Sequence, residues 1–403
     1  MNNVTPLPRL RTHRVAVAGI FFVVGVQLGT WFARVPELRT ALHLSFSQLG
    51  AVLLAQTVGV IIAMQVAGHL SAYLDSRAVV RLTATIVPWF PALVAISPGA
   101  VTAAAVMLGW GLVAGLLDVA VNTQGVALEQ FGRRPFLSSL HAVWGAGALT
   151  GSLGAVVAIR AGVPLGVHFA TVAAVLCVLA LVAGRHALPE RRSGTRREPG
   201  KRARTGLLSG WTRAVLVLGG LGAAAALCEG AVSSWCGVFL REQRGATADV
   251  ASLGYFVFIL AQTATRMFGD RVHRVLGPVA LLRWSMAATA AGVLVAVLSP
   301  DPWSGLAGFA LQGCGLAVVI PLIAGAVGHG GGNTSVAIAR FSTLHQVGVL
   351  AGPALFGRLA QTSGVSTALA LLVLPVGLIA VFAKATVTAR PAVLATAEGR
   401  RAA

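Results

Sequence analysis

The chain has 403 residues, of which 56% are apolar and only 11% are charged, and its mean hydropathy is +0.81. A soluble domain carries about 25% charged residues, so this composition excludes an ordinary water-soluble globule and predicts a membrane protein. The formal net charge is +19, but the basic residues lie in short segments between apolar runs. Membrane topology explains that pattern, and we expect no nucleic-acid partner.

Twelve apolar runs predict twelve membrane-spanning helices, because about 20 mostly apolar residues cross a bilayer as a helix. The first six predicted spans are residues 15–33, 47–71, 79–97, 100–128, 136–159 and 164–184. The second six are residues 213–239, 249–268, 278–298, 303–327, 336–359 and 365–387. Arginines precede the first run, but no convincing small-residue cleavage site follows it. We therefore interpret this run as a retained helix, not as a signal peptide.

The spans fall into two groups of six around one long polar segment. Residues 15–184 and 213–387 are predicted to form two six-helix bundles, and residues 185–212 a basic cytoplasmic linker. The tails are residues 1–14 and 388–403. Basic residues concentrate in the tails, the linker and alternate loops, so the positive-inside rule places both termini in the cytoplasm. We expect a monomeric, multi-pass protein of the cell (inner) membrane.

The two halves resemble each other after a shift of 204 residues. Trp31 then falls on Trp235 and His141 falls on His345, and paired leucines and glycines also coincide in order. A duplicated six-helix unit explains these matches. Such repeats are typical of secondary transporters.

Three stretches, GLLDVAVNTQG (115–125), SSLHAVWGAG (138–147) and EGAVSSW (229–235), lie within this twelve-span pattern. Together with the two repeats and the basic linker, the chain resembles the major facilitator superfamily. Locally it is similar to a little-characterised bacterial branch near the fucose and sugar permeases. The resemblance implies an all-α polytopic fold and a gradient-driven, alternating-access carrier of a small solute, with no enzyme activity and no cofactor.

The resemblance also implies a cytoplasmic gate, in which a carboxylate at a helix end pairs with a basic loop. In the first half Ala72 stands where the acidic residue is expected, and Asp75 and Arg77 come late. The second half has a better copy, Asp270 and Arg271, in the predicted loop 269–277. These four charged residues are the gating candidates.

Asp118 lies inside the predicted fourth span, where a carboxylate costs about 2.5–3.5 kcal/mol and usually faces a partner or a water-filled cavity. Asn122 is four residues on and shares its helix face. His141 in the fifth span lies at a similar depth. These residues predict a hydrogen-bonded group, which is either a proton or solute site or a structural clamp between two helices.

Glu229 follows a small-residue stretch in the predicted seventh span and is the best single candidate for proton coupling. The alternative is an ion pair with a basic residue of a neighbouring helix. His141 and His345 can titrate near neutral pH, but their equivalent positions also fit one packing role used twice. No further metal ligands cluster with them, so we predict no metal site.

Candidates for the solute pathway are Asn122, Gln27, Trp144 and Arg34. Arg34 lies near an outer helix end, where we expect it to reach the membrane interface, although it could instead attract an anionic solute. Trp31 and Trp235 are likewise expected at the interface.

Three other functions remain open. A drug or metabolite efflux carrier of the same superfamily is one of them; the fifth span lacks the Gly-Pro step typical of drug/proton antiporters, which disfavours the commonest multidrug subgroup but does not exclude export. A polytopic membrane enzyme would need a reactive group of residues at one membrane face, and we find no such motif. A non-transporting sensor that has lost coupling is compatible with the degenerate first gate. We favour proton-coupled transport, by symport or antiport, of a sugar-like or small polar solute.

Overall fold

The computed structural model describes residues 10–70, 75–132, 137–187, 211–298, 300–328 and 334–388, and all regular elements in these ranges are helical. We number the helices by the predicted spans. They are α1 (Leu10–Ala41), α2 (Phe46–Leu70), α3 (Ser76–Ala95), α4 (Ala100–Gly132), α5 (Leu137–Arg160), α6 (Leu165–Arg185), α7 (Arg213–Arg244), α8 (248–276), α9 (278–298), α10 (302–328), α11 (Thr334–Ser363) and α12 (365–388).

The predicted all-α polytopic fold is confirmed. Within the described ranges, eleven helices are long and apolar enough to cross a membrane. The remaining predicted span, α11, has 30 residues but is less apolar, since it carries Arg340, His345 and Arg358. Helix length, hydropathy and number therefore agree with a twelve-span protein.

Several helices are longer than predicted, because their polar ends continue the helix beyond the apolar run. The clearest correction concerns the predicted loop 269–277. It is helical up to Leu276, and the chain breaks at Gly277, where φ is 73° and ψ is 168°. Glycine adopts this conformation without steric cost, and the following Pro278 starts α9 with a φ suited to a first helical turn. Residues 270–276 contain no glycine or proline, so the helix continues through most of the predicted loop.

The chain divides into two compact units. The first holds α1–α6 together with residues 246–256 at the start of α8. The second holds α7, the rest of α8 and α9–α12. In the first unit α1 packs against α5, and in the second α7 packs against α11. These pairs correspond under the 204-residue shift, as a duplicated unit requires.

Glycines set the distance between α1 and α5. A Cβ atom added to Gly29 would overlap the backbone carbonyl of Ala148, and one added to Gly151 would overlap that of Val26. Helices in a membrane associate through close van der Waals packing, and small residues permit it. This contact positions His141 and Trp144 on α5 relative to α1.

Candidate functional site

The second unit contains a polar group around Glu229 of α7. The Gln262 side chain of α8 donates a hydrogen bond from Nε2 to Glu229 Oε1 over 3.0 Å. A guanidinium nitrogen of Arg266, one turn further along α8, lies 4.0 Å from the same oxygen. The Glu229 side chain is 31% exposed and that of Arg266 is 41% exposed. The carboxylate thus has a neutral donor and a cation nearby and is still accessible.

Arg266 also contacts a break in α10. Its Nε donates to the carbonyl oxygen of Ala317 over 3.0 Å, where the helix is interrupted between Leu316 and Val319. The guanidinium therefore links the Glu229 carboxylate to an irregular backbone segment. A change in the charge of Glu229 would alter the contact between Arg266 and Glu229 and would leave the hydrogen bond from Arg266 to Ala317 in place.

His345 of α11 lies within electrostatic range of Glu229. Its ring stacks on Phe341 with 6.2 Å between centroids and an interplanar angle of 20°. Among the described residues, its buried Nδ1 has no hydrogen-bond partner. We call Glu229, Gln262, Arg266 and His345 the Glu229 cluster.

The first unit contains a second polar group. The Asn122 side chain donates from Nδ2 to Asp118 Oδ1 over 3.0 Å, and also to the Asp118 carbonyl over 2.9 Å. His141 interacts electrostatically with Asp118 and packs at a tilt on Phe21, 5.5 Å between ring centroids. Asp118 and His141 are exposed and Asn122 is half-buried. The structure brings the three predicted residues together, with Asn122 hydrogen-bonded to Asp118 and His141 in electrostatic range of the same carboxylate.

The two equivalent histidines thus lie near carboxylates that are not equivalent. His141 is close to Asp118 of α4, whereas His345 is close to Glu229 of α7. The 204-residue shift sets Glu229 opposite Gly25, which packs against α5. The histidines belong to the repeated scaffold and the acids do not.

Arg34 is not at the membrane interface, contrary to the sequence-based expectation, since it is only 1% exposed. One guanidinium nitrogen pairs with Glu37, another donates to the Val163 carbonyl over 3.2 Å, and Nε donates to His168 Nδ1 over 3.2 Å. A buried guanidinium needs such partners to offset its lost hydration. Arg34 therefore joins α1 to α6 and presents no open face to an anionic solute.

Replacing Arg34 with Met is expected to destabilise the protein by about 1–3 kcal/mol, because the buried His168 Nδ1 and the Val163 carbonyl lose their hydrogen-bond donor. Arg34→Lys should recover little, since one ammonium cannot reproduce three divergent donors. Thermal unfolding in detergent measures both changes. Arg358→Met, at an exposed site on α11, is the control, and equal unfolding temperatures for the Arg34 and Arg358 variants would contradict the structural role.

Gln27 and the two equivalent tryptophans are also buried. Gln27 is 3% exposed and donates to the Val87 carbonyl over 2.7 Å. Trp31 and Trp235 are 0% and 1% exposed. Trp31 packs edge-on against Trp110, with 4.9 Å between ring centroids, and Trp235 stacks on Phe356. Contrary to the expectation, neither ring is exposed to the membrane surface. Their rings fill the interior between helices, where the burial of a large aromatic surface stabilises the packing.

Comparison with known proteins places these features in a family. An uncharacterised MFS-type transporter of Yersinia pestis is 31% identical over 373 residues, covering 91% of this chain and 94% of that protein. The chain belongs to the major facilitator superfamily. The membrane protein MosC of Rhizobium meliloti is 30% identical over 386 residues, covering 94% of this chain and 91% of MosC. No family model matches the sequence.

A solved D-xylose–proton symporter supports the same fold. It aligns with a TM-score of 0.75 at 14% identity and covers 94% of this chain and 98% of its own. Membership of the superfamily makes the chain a multi-pass secondary transporter and confirms that it is not an enzyme.

The gating candidates of the first half, Asp75 and Arg77, make local contacts. The Asp75 carboxylate accepts a hydrogen bond from the Arg77 backbone N–H over 3.1 Å and caps α3. The Arg77 guanidinium donates to the Arg185 carbonyl over 3.0 Å, at the end of α6. In the second half Arg271 is exposed, and the Asp270 side chain lies outside the described residues. A gating role for these four residues stays a prediction.

Sequence reasoning missed Gln262, Arg266 and His168. Gln262 and Arg266 are four residues apart and share one face of α8. Two polar residues on one face of an apolar helix were the available signal for a polar contact with a neighbouring helix. His168 gave no signal, because its role depends on a contact with Arg34 across 134 positions of sequence. Within the part of the chain that the structure describes, no three His, Cys, Asp or Glu side chains form a possible metal site.

Proposed function

We propose that this superfamily member is a proton-coupled carrier of a small, polar, sugar-like solute, and that Glu229 carries the coupling proton. The observation that supports it is the arrangement at Glu229, a partly exposed carboxylate held by Gln262 and lying 4.0 Å from Arg266. Ionisable groups in membrane helices are costly, and those that remain commonly mark proton or ion pathways.

The chemistry of the cluster suits a reversible proton site. Gln262 donates a hydrogen bond to Glu229 Oε1, and a guanidinium nitrogen of Arg266 lies 4.0 Å from the same oxygen. Protonation removes the attraction to Arg266, which keeps its hydrogen bond to Ala317 at the break in α10. A proton on Glu229 would therefore loosen the link between α7 and α8 without leaving the guanidinium unpaired.

Polar groups of the first unit suit a hydroxylated solute. Asp118 and His141 are exposed, and together with Asn122 they offer both donors and acceptors, as sugar hydroxyls require. Trp144 lies one turn beyond His141 on α5 and is half-buried. An aromatic ring at that place can stack on a sugar ring. The local resemblance to the fucose and sugar permease branch agrees with this solute class, as does the fold shared with a D-xylose–proton symporter.

The proposal includes a topology. The two predicted bundles, residues 15–184 and 213–387, alternate access by moving relative to each other. Both termini lie in the cytoplasm, on the basis of the arginine distribution. Asp270 and Arg271 take part in the cytoplasmic gate.

Flux in proteoliposomes tests the function. The purified chain is reconstituted, a pH gradient is imposed, and a panel of pentoses, hexoses, polyols and drug-like cations is offered in both directions. We expect at least one sugar-like solute to accumulate above its equilibrium level, with co-directional proton movement. Gradient-driven expulsion of drug-like cations alone would favour the efflux alternative, and a complete absence of solute and proton flux would overturn the proposal.

Asp118→Asn is expected to raise the KM for that solute about tenfold or more, because a hydrogen bond to a charged group contributes about 1.5–3 kcal/mol. Accumulation at saturating solute should persist, since Glu229 is intact. Initial-rate measurements separate KM from kcat. Asp301→Asn makes the same change at the half-buried N-cap of α10 and serves as control; an unchanged KM in Asp118→Asn contradicts a solute role.

A further inference from the structure

A groove of about 770 Å³ lies on the first unit between α1, α5 and α6. One wall follows α1 from Arg11 to Phe22, the opposite wall follows α6 from Leu179 to His186, and Val143 of α5 closes the far side. Neither of the clusters described above contributes a lining residue. The groove is therefore separate from the Asp118 and Glu229 groups.

The groove is apolar over most of its length. Val15 is 65% exposed, Val182 is 54% exposed and Leu179 is 43% exposed. Aliphatic side chains so exposed on membrane-spanning helices face lipid chains. At the base, a Cβ added to Gly19 would lie 3.4 Å from the Ala183 Cβ, so α1 and α6 approach closely there.

One end of the groove is basic. Arg11 and His186 line it, and none of its lining side chains is a carboxylate. Arg77 and Arg81 of α3 donate to the last carbonyls of α6, the Arg81 Nε over 2.7 Å and the Arg77 guanidinium over 3.0 Å. These contacts hold two further positive charges beside the end of α6. The result is a positive end on an apolar groove.

The length of the groove corresponds to one leaflet. From Arg11 to Phe22 is eleven residues, or about 16 Å of helix, and a hydrocarbon core is about 30 Å thick. An acyl chain lying along α1 would thus extend from the basic end to near the bilayer midplane. A free phosphate or a soluble anion would leave the apolar part of the groove empty.

We propose that this groove binds an anionic phospholipid, with one acyl chain between α1 and α6 and the headgroup phosphate at Arg11 and His186. Arginine and histidine donate hydrogen bonds to phosphate, and basic pockets between membrane helices are known to bind anionic headgroups. The bound lipid would bridge α1 and α6 where His13 already donates to the His186 carbonyl over 2.7 Å.

Native mass spectrometry of the full chain in detergent tests the proposal, by titration with phosphatidylglycerol, phosphatidylcholine or glycerol phosphate. We expect one phosphatidylglycerol to bind more tightly than phosphatidylcholine. Arg11→Gln with His186→Gln should weaken phosphatidylglycerol binding about fivefold or more, because one basic residue near a membrane surface contributes about 1 kcal/mol. It should weaken phosphatidylcholine binding less, because the choline cation already offsets the attraction of its phosphate to a basic site. Ala18→Phe, which fills the groove, should lower the affinity for both lipids.

Arg358→Gln, an exposed arginine outside the groove, is the matched control and should bind as the original chain does. Equal affinities for the two lipids would overturn the proposal. So would a phosphatidylglycerol preference that survives in the Arg11 and His186 variant, since it would then reflect non-specific surface charge. Displacement of the lipid by glycerol phosphate alone would show a soluble-anion site and would also overturn it.

Discussion

Replacing Glu229 with Gln is expected to abolish proton-driven accumulation of the solute, while exchange of solute across the membrane without a gradient continues. Glutamine copies the shape and neutrality of the protonated acid, so the helix rearrangement remains possible but no proton is released. The internal solute level should fall from above equilibrium to the external level. Counterflow and gradient-driven uptake, measured in the same proteoliposomes, separate the two processes.

Stability should change little in this variant, which distinguishes coupling from a structural ion pair. Glu229 and Arg266 are both partly exposed and 4.0 Å apart, so their attraction is screened and contributes about 1 kcal/mol or less. Arg266→Gln should weaken coupling through the same site. The Glu229→Gln, Arg266→Gln double variant should be about as stable as either single variant and should not regain accumulation. Recovery of accumulation in the double variant, or its persistence in Glu229→Gln, would show that the pair is structural.

The second large effect is expected at the contact between α1 and α5. Gly29→Ala and Gly151→Ala each place a methyl group against a backbone carbonyl of the opposite helix, and a backbone cannot move aside as a flexible side chain can. Overpacking of this kind costs about 1–3 kcal/mol. We expect the unfolding temperature to fall by about 5 °C or more, as measured by thermal unfolding in detergent.

Gly154→Ala on α5 is the matched control, because a Cβ there meets no atom within 4 Å. Alanine also favours a helix over glycine, so this variant should be as stable as the original chain or more stable. If Gly154→Ala were as damaging as Gly151→Ala, the effect would come from helix propensity or membrane insertion, and close packing would not explain it.

The helices were predictable because the bilayer imposes a simple rule. Any segment in the hydrocarbon core must satisfy its backbone groups internally and present apolar side chains, and both requirements are visible in the order of residues. The helix ends were not predictable from hydropathy, as α8 shows. The helix continues through the charged segment 270–274 to Leu276, and it stops at Gly277 because of backbone conformation.

The acids and histidines of the candidate sites were predictable for a related reason. An ionisable residue in an apolar run is conspicuous, and Asp118, Glu229, His141 and His345 were all identified on that basis. The surroundings of each were not visible. Glu229 meets Gln262 and Arg266 because α7 and α8 pack together, and no local pattern reports a contact between residues 33 positions apart.

Composition, apolar periodicity and the internal repeat thus predicted a twelve-span transporter with two similar halves and acidic residues inside its spans. Helix packing settled which polar residues are interior supports and which are accessible. Arg34, Trp31 and Gln27 resembled pathway or interface residues, yet they are buried between helices of the first unit. The burial of a side chain depends on the residues that pack around it in three dimensions. Hydropathy along one helix cannot distinguish a face that contacts lipid from a face that contacts protein.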